Sequence, residues 1–344
     1  MFNKFNIGVI GAGMWGKTHI SMLQAEDRAA VTWVYDMNPA MGKAAQEKYG
    51  VKRVAQDVRE MLDDPALDAV VVASPPSSHA AIALDVLRAG KHLLIEKPMA
   101  VHREEVAAIV AEAAAHPELV ALEGSCRHSR LNPKFTFIKA LIDSGQLGRI
   151  YHIHHNHLGQ GTFVEYNPNG AWAMDKRYAG GGPFMDWGEY DLSFHLGILG
   201  DRPELKAVHA FTVTDLRDLS KLAPVVDVEM HGAAYMEFDG GLTYYYERGA
   251  GVHGETQCET RLYGTKGGLR FYYTTWEPKT IEYYHSEEKP VKEVLTVDMS
   301  KHPSHDNIAF VAHFLDCLEG KAQPLMPVGL AAKHLNILFD ILKS

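Results

Sequence analysis

The stretch Gly11-Ala12-Gly13-Met14-Trp15-Gly16 decides how the first third of the chain folds. The apolar run 7–10 precedes it and a helix-like segment begins at Lys17, which gives the order strand, turn, helix. In such a unit the first glycine permits a tight turn, the second lets the backbone approach a pyrophosphate, and the third lets the helix pack closely on the strand. The N–H groups and the positive dipole end of the helix then face the phosphates. We predict that this loop binds a dinucleotide cofactor. The residues expected to contact the cofactor are Gly11, Gly13, Met14, Trp15 and Gly16.

An acidic residue closes the next strand-like run, 31–35. Asp36 stands 20 residues after Gly16, where an acid that binds the ribose hydroxyls of a dinucleotide is expected. Its negative charge would repel the additional phosphate of NADP. The pattern therefore predicts NAD as the cofactor, with NADP disfavoured.

The bulk composition indicates a globular protein of about two domains. The chain has 344 residues, of which 46% are hydrophobic and 22% charged. A net charge of −9 argues against a nucleic-acid surface, and no apolar run approaches the roughly 18 residues that a membrane span needs. We therefore expect neither nucleic acid nor a membrane among the partners.

The cysteines and the N-terminus point to the cytoplasm. Three scattered cysteines are not a disulfide framework, and the first strand begins too early to leave room for a signal peptide. We expect free thiols in a reducing compartment. These cysteines are Cys126, Cys258 and Cys317.

Up to residue 124 strand-like and helix-like runs alternate, which is typical of a doubly wound parallel sheet. Ser74, Pro75 and His79 follow the buried strand 67–73, and Glu96 and Lys97 end the strand 92–96. The carboxyl ends of parallel strands are where such sheets bind ligands. We predict that all five residues contact the cofactor, although a rigid turn and a solvated lysine would produce the same patterns.

These motifs together resemble the glucose-fructose oxidoreductase/inositol dehydrogenase (Gfo/Idh/MocA) family. The most specific is Glu96-Lys97-Pro98 after a strand of the dinucleotide-binding sheet. The resemblance continues through nearly the whole chain, in Arg130-Leu131-Asn132-Pro133, Gly180-Gly181-Gly182-Pro183-Phe184-Met185-Asp186-Trp187-Gly188 and Tyr263-Gly264-Thr265-Lys266-Gly267. It implies an NAD(P)-dependent oxidoreductase acting on a sugar or polyol.

The second half of the chain predicts an α+β domain with a large, mainly antiparallel sheet. Strand-like runs follow one another with short turns at 150–157, 205–214, 225–238, 242–247, 256–263, 269–273 and 281–284. We expect a Rossmann domain at 1–124 and a substrate-binding and oligomerisation domain at 125–344, whose last helices pack back on the first domain. The resemblance implies that the open sheet face joins subunits into a homodimer or homotetramer. Tyr244, Tyr246, Tyr272 and Trp276 would suit that face or ordinary strand packing equally well.

The chemistry is expected on a helix over 184–199. Asp186 and Tyr190 are four residues apart and share one helical face. The family usually carries histidine at the position of Tyr190, in a pattern DxGxHxxD whose last aspartate is Ser193 in this chain. The resemblance is to members, glucose-fructose oxidoreductase among them, that have tyrosine there. We predict Lys97, Asp186 and Tyr190 as the catalytic residues, with the lysine cation favouring a phenolate.

A histidine-rich strand invites a metal interpretation. Alternation places His152 and His154 on one face and His155 and His157 on the other, so no three converge, and we predict no metal site. Polar donors and a flat platform would suit a pyranose. The candidate substrate contacts are Arg127, Asn156, His157 and Trp172.

We therefore predict an NAD-dependent sugar or polyol dehydrogenase that transfers a hydride to or from a secondary alcohol carbon. Two alternatives stay open. One is a related enzyme that oxidises and re-reduces a sugar through bound NAD to cleave or rearrange a glycoside. The other is a non-catalytic NAD- and sugar-binding regulator.

Overall fold

The computed structural model describes residues 4–286 and 289–343, in two compact units. One unit contains the chain up to Arg127 together with Pro303–Lys333, and the other contains His128–His302 together with the residues from His334 onward. In both described segments, helices of the length and apolarity needed to cross a bilayer are absent.

Strands and helices follow one another along the chain in this order. The strands are β1 Phe5–Ile10, β2 Ala29–Tyr35, β3 Arg53–Val54, β4 Ala69–Val72, β5 His92–Ile95, β6 Ala121–Glu123, β7 Ile150–Gly159, β8 Leu205–Val213, β9 His231–Phe238, β10 Thr243–Ala250, β11 Gln257–Gly264, β12 Gly267–Phe271, β13 Thr280–Ser286 and β14 Pro290–Thr296. The helices are α1 Met14–Gln24, α2 Pro39–Tyr49, α3 Val58–Leu62, α4 His79–Arg88, α5 Arg103–Ala115, α6 Pro133–Asp143, α7 Phe163–Tyr166, α8 Lys176–Ala179, α9 Pro183–Gly197, α10 Asp306–Leu318 and α11 Val328–Ile341.

The first unit is built on a six-stranded parallel sheet in the order β3-β2-β1-β4-β5-β6. The central strands are apolar along their length because helices cover both faces, and Val9, Val71 and Leu94 are fully buried. This is the strand order of a dinucleotide-binding fold, and it confirms the predicted doubly wound sheet.

The later segment Pro303–Lys333 completes this first unit. The N–H of Glu123, at the end of the edge strand β6, donates to the Met326 carbonyl at 2.9 Å, and Leu122 forms an antiparallel bridge with Pro327. On the other side Arg28 binds the Asp316 carboxylate at 2.6 Å. The boundary between the two units falls after Arg127, three residues beyond the boundary predicted at 124.

The second unit contains an eight-stranded sheet in the order β14-β13-β12-β11-β7-β10-β9-β8. Only β10 and β7 pair in parallel, and the other pairs are antiparallel, which confirms the predicted mainly antiparallel sheet. Tyr244 and Tyr246 are fully buried and therefore do not lie on an open face. The opposite face exposes Phe211, Tyr235 and Tyr263.

Two strand predictions in this unit were wrong. The strand predicted from 225 begins only at His231, because Val228 and Met230 are buried in a separate apolar cluster with Val164 and Met174. The edge strand β14 was missed, because nearly all of its side chains are exposed and it lacks the apolar alternation of a half-buried strand.

Candidate active site

The glycine loop between β1 and α1 has the close contacts that its sequence predicts. Gly11 adopts a φ of 93°, in the left-handed region, and its N–H donates to the Tyr35 carbonyl at 2.8 Å. A Cβ at Gly16 would lie 1.7 Å from the Gly11 carbonyl oxygen. Any side chain at Gly16 would therefore push α1 away from the turn.

The same loop leaves room for a phosphate. No described atom lies within 4 Å of the position that a Cβ of Gly13 would occupy. Among the described residues α1 has no side-chain N-cap and no acidic residue in its first turn. Its N–H groups and dipole are thus available to an anion, and Met14, 54% exposed, begins the helix beside them.

Asp36 joins the loop to the end of β2. One carboxylate oxygen accepts the Ala12 N–H at 2.7 Å and the other accepts the Asn38 N–H at 2.8 Å. The residue is half-buried, so the remaining lone pairs can still reach a ribose diol. Asp36 therefore fits the cofactor and also fixes the loop that would hold its phosphates.

The turn after β4 is held by a buried histidine, His79. His79 is 1% exposed, and its ring nitrogens contact the carbonyl oxygens of Ser74 at 2.7 Å and Pro98 at 2.8 Å. Burial lowers the pKa of His79. A neutral imidazole has one N–H, so the ring donates to one of these two carbonyl oxygens. The ring positions the Ser74-Pro75 turn, in which Ser74 is half-buried and Pro75 exposed. The contact of His79 with the cofactor stays a prediction.

Glu96 is also an internal residue. It is 4% exposed, and Arg127 contacts its two carboxylate oxygens at 2.5 and 3.3 Å while His19 approaches at 2.7 Å. Burial alone would raise the pKa of Glu96, but the Arg127 charge and the His19 contact hold it well below its usual range. The carboxylate therefore fixes the end of β5, and the contact of Glu96 with the cofactor stays a prediction.

Arg127 shares this buried position. It is fully buried, and its guanidinium lies 4.3 Å from the centre of the Trp15 ring. Through Trp15 and Glu96, Arg127 connects the glycine loop to the strand end that carries Lys97, which is half-buried. The contact of Arg127 with a substrate stays a prediction.

A second carboxylate lies at the neighbouring strand end. Glu123 pairs in register with Ile95, directly before Glu96, and is fully buried. Its Oε2 accepts the Ser125 N–H at 2.8 Å and the Ser125 hydroxyl at 2.5 Å. Burial, with a smaller contribution from the charge of Glu96, raises the pKa of Glu123 to about 7 against these two hydrogen bonds.

In the second unit a glycine turn sets the start of α9. A Cβ at Gly182 would lie 1.9 Å from the Glu229 carbonyl oxygen, so the backbones approach as only glycine permits. The Glu229 carboxylate accepts the N–H groups of Gly182 at 2.8 Å and Phe184 at 3.1 Å. This arrangement fixes where Asp186 and Tyr190 project, one turn apart.

Tyr190 belongs to a cluster of rings. It is 2% exposed, and its ring centre lies 4.9 Å from that of His128 and 5.2 Å from that of Trp187. Trp276, 57% exposed, packs edge-on against both of these neighbours. Asp186 is half-buried. Trp276 is the most exposed ring of this cluster, and Asp186 adds a carboxylate one helical turn before Tyr190. The cluster thus combines aromatic and polar groups, as sugar-binding pockets do.

A buried polar network lies behind this cluster. Asp191 accepts hydrogen bonds from the hydroxyls of Tyr246 and Tyr273, both at 2.7 Å, and from Arg248 at 2.7 and 2.8 Å. Burial would raise the pKa of Asp191, but Arg248 and His155 hold it well below its usual range. The carboxylate is therefore ionised, and it joins α9 to the sheet.

The histidines of β7 divide between the two sheet faces. His155 reaches Asp191 at 3.3 Å, whereas His152 contacts the Thr243 hydroxyl at 2.7 Å on the other face. His157 stacks near Trp187, and its pKa is lowered to about 3, first by the Arg248 charge and then by burial. Its ring is thus neutral at physiological pH.

The remaining predicted substrate contacts lie apart from one another. Asn156 lies on the opposite sheet face from His157 and donates to Gln257 at 2.7 Å, so the two cannot bind the same ligand. The substrate contacts of Asn156 and His157 therefore stay separate predictions. Trp172 is 36% exposed and contacts Phe163 at a ring distance of 6.3 Å.

Sequence reasoning missed Asp191 and Arg248. A signal was present in β10, because Arg248 has the strand parity of Tyr244 and Tyr246, and a charge on a buried face needs a partner. No comparable pattern marked His128 or Trp187, whose importance comes from packing between distant segments.

Comparisons with known proteins agree with this geometry. The family model for the Gfo/Idh/MocA oxidoreductase family with an NAD-binding Rossmann fold matches residues 5–123. The model for the Gfo/Idh/MocA C-terminal domain matches residues 135–270. Together they confirm the predicted NAD-binding oxidoreductase.

Among curated relatives, the levoglucosan dehydrogenase of Pseudarthrobacter phenanthrenivorans is 26% identical over 295 residues, 78% of this chain and 74% of the relative. The inositol 2-dehydrogenase of Rhizobium meliloti is 27% identical over 252 residues, 72% of each chain. The solved structure of a levoglucosan dehydrogenase with NADH and levoglucosan has a TM-score of 0.84 at 22% identity, covering 99% of this chain and 97% of the other. That likeness shows a shared fold.

Proposed function

Because the chain belongs to the Gfo/Idh/MocA family of oxidoreductases with an NAD-binding Rossmann fold, we propose that it transfers a hydride between nicotinamide and a secondary alcohol or ketone carbon of a sugar, sugar derivative or polyol. The observation that carries the proposal is the ring cluster on α9, which places Tyr190 among His128 and Trp187, one helical turn from Asp186. The dehydrogenases named among the relatives act on levoglucosan and inositol, which are compounds of this class.

The first unit supplies the cofactor site. The glycine loop and the start of α1 bind the pyrophosphate, and Asp36 binds the adenosine ribose and disfavours NADP. The Ser74-Pro75 turn and Lys97 contact the nicotinamide half. Bound NAD supplies the acceptor for the hydride.

The second unit supplies the substrate site. On this unit Tyr190 exchanges the hydroxyl proton as the hydride leaves the carbon, and Asp186 orients the substrate. Lys97, which belongs to the first unit, is the other predicted catalytic residue. Trp187 and Trp276 form a platform for the sugar ring, and neutral His157 and Trp172 are further contacts. A neutral imidazole both donates and accepts, which suits a hydroxyl.

The test is an assay of a panel of inositols, sugar alcohols and anhydrosugars. For each compound, the formation of NADH from NAD and of NADPH from NADP is measured. Tyr190→Phe is expected to lower kcat by about 10²–10⁴ if the phenol moves the proton. Tyr284→Phe, at an exposed position of β13 in the same unit, is the matched control and should leave kcat unchanged. Unchanged turnover in Tyr190→Phe would remove that residue from the mechanism.

The panel also separates the two alternatives. An enzyme that uses NAD transiently would retain its cofactor and convert a glycoside with no net NADH. A regulator would bind NAD and sugar with no conversion.

Assembly and location are part of the same proposal. Phe211, Tyr235 and Tyr263 expose large rings on the open face of the sheet, which supports a homodimer or homotetramer formed through it. The free thiols of the three cysteines support the predicted cytoplasmic location. Light scattering from the purified protein would give the mass, and a monomer at micromolar concentration would contradict the assembly.

A further inference from the structure

The first turn of α10, in the first unit, contains a buried side-chain amide without a partner. Asn307 is 2% exposed, and neither its Oδ1 nor its Nδ2 has a hydrogen-bond partner among the residues that the structure describes. An amide buried in this way costs free energy, because it has given up its hydrogen bonds to water without replacing them. A polar ligand that supplies the missing partners would account for such a group.

Helix α10 runs in the same direction as α1. In its first half, the ring centre of Phe310 lies 5.9 Å from that of His19, which is in the middle of α1. In its last half, Asp316 binds Arg28 at 2.6 Å, and Arg28 lies in the turn that leads from α1 into β2. The start of α10 therefore lies at the same edge of the parallel sheet as the glycine loop and the start of α1.

Asn307 lies level with the start of α1. It precedes Phe310 by three residues, so it is on the same side of α10 and about one turn closer to the edge of the sheet. Trp15 precedes His19 by four residues and is one turn closer to the same edge on α1. Because the two helices run together, Asn307 is placed at the height of Trp15, in the loop that is proposed to hold the pyrophosphate.

The start of α10 lies on the side of the loop that faces away from Asp36. Arg127, whose guanidinium is 5.5 Å from the centre of the Phe310 ring, binds Glu96 at the end of β5. Asp36 follows the end of β2, and β2 and β5 lie on opposite sides of β1 in the sheet. A dinucleotide whose adenosine ribose is bound by Asp36 therefore extends its nicotinamide half towards α10.

The amide also distinguishes between the groups of the cofactor. Its Oδ1 accepts hydrogen bonds and its Nδ2 donates them, and both are unused. A phosphate at neutral pH offers mainly acceptors, which would leave Oδ1 unpaired, and Asp306 brings a carboxylate to the same turn. A ribose hydroxyl and the carboxamide of nicotinamide each donate and accept, so either group matches both atoms of the amide.

We infer that Asn307 binds the nicotinamide half of the bound dinucleotide through its side-chain amide. The inference rests on the proposed placement of that half beside Ser74 and Lys97, and it depends neither on the substrate nor on hydride transfer. The segment Pro303–Lys333, which follows most of the second unit in the chain, thereby contributes a residue to the cofactor site.

Isothermal titration with three ligands tests this contact and needs no turnover. NAD contains both halves, ADP-ribose lacks the nicotinamide ring, and ADP also lacks the second ribose. Asn307→Leu keeps the approximate size of the side chain, and Asn307→Ala removes the amide without adding bulk. Both should raise the Kd for NAD about tenfold and leave the Kd for ADP unchanged. Asn169→Leu, the same change at an exposed position of the second unit, is the control and should alter none of the three affinities.

The titration with ADP-ribose identifies the group that the amide binds. A loss of affinity for both NAD and ADP-ribose assigns the amide to the ribose hydroxyls, and a loss confined to NAD assigns it to the carboxamide. Either result supports the inference. An equal loss for ADP, or an unchanged Kd for NAD in both Asn307 variants, would overturn it.

Thermal unfolding without ligand separates a binding role from a structural one. Leucine removes the cost of burying an unpaired amide, so the Tm of ligand-free Asn307→Leu should rise by about 2–4 °C. An amide that only supports the fold would give a lower Tm in both variants with an unchanged Kd for NAD, and that result would refute the inference.

The outcomes separate the inference from the proposed function. Tight NAD binding that both Asn307 variants retain contradicts the role of Asn307 and leaves the dehydrogenase proposal standing. Wild-type protein that binds NAD no more tightly than ADP contradicts the proposed placement of the nicotinamide half and the Asn307 contact with it.

Discussion

Replacing Asp36 by asparagine should change the cofactor preference of the protein. The variant Asp36→Asn removes one negative charge at the end of β2 and keeps the size of the side chain. Two unit charges about 4 Å apart interact by about 1 kcal/mol in bulk water and about 4 kcal/mol near a protein surface. Because Asp36 is half-buried, a phosphate on the adenosine ribose should be relieved of about 1–3 kcal/mol of repulsion.

The same change should weaken NAD. The carboxylate accepts the N–H groups of Ala12 and Asn38 with different oxygens, and asparagine has only one acceptor for the two. It also loses charge-assisted hydrogen bonds to the ribose diol, which contribute about 1.5–3 kcal/mol each when they involve a charged group. Stronger binding of NADP and weaker binding of NAD both lower the ratio of the NADP Kd to the NAD Kd.

Isothermal titration of the purified protein with NAD and with NADP measures this ratio and needs no substrate. We expect the ratio of the NADP Kd to the NAD Kd to fall by about 10-fold or more, since each 1.4 kcal/mol is tenfold. Asp57→Asn is the control, because Asp57 also accepts a backbone N–H, that of Arg59 at 2.8 Å, but lies at the start of α3. A ratio that is unchanged in Asp36→Asn would refute the assignment of Asp36 to the ribose.

Two further substitutions test the loop and the buried network. Gly16→Ala places a methyl group 1.7 Å from the Gly11 carbonyl oxygen. We expect it to lower NAD affinity at least about tenfold and the free energy of unfolding by about 1–3 kcal/mol. Gly329→Ala, where the Cβ would enter open space, is the control and should change neither quantity. Asp191→Asn leaves the Arg248 charge buried, and denaturant unfolding should show a loss of about 3–5 kcal/mol. Combining it with Arg248→Met should recover part of that loss, and strictly additive losses would contradict a coupled ion pair.

The doubly wound sheet could be predicted from the sequence because its signals are local. The glycine turn, the strand before it and Asp36 lie within 30 residues, and the buried parallel strands are continuous apolar runs. The antiparallel sheet was predicted for the same reason, since alternation and short turns are local too. β14 escaped because an exposed edge strand carries no such pattern.

The candidate site was harder to predict because burial and pairing are not local properties. His79, Glu96 and Arg127 stand in or beside motifs that suggest ligand contact, yet each is buried and occupied by other protein groups. Arg127 contacts Trp15, which lies more than one hundred residues earlier in the sequence, and no local pattern near either residue predicts this contact. Strand parity alone shows that Asn156 faces away from His157, so a shared ligand could have been rejected from the sequence.

The closure of β6 by Pro303–Lys333 has a consequence for synthesis of the protein. Leu122 and Glu123 leave the ribosome about 200 residues before Met326 and Pro327, an interval of about 10–40 s at ordinary elongation rates. During that time the edge of the parallel sheet is unpaired at this position, and Arg28 lacks Asp316. The nucleotide-binding unit is therefore the first to begin folding and among the last parts of the chain to finish, so a nascent chain that stalls in the second unit exposes an incomplete cofactor domain to chaperones and proteases.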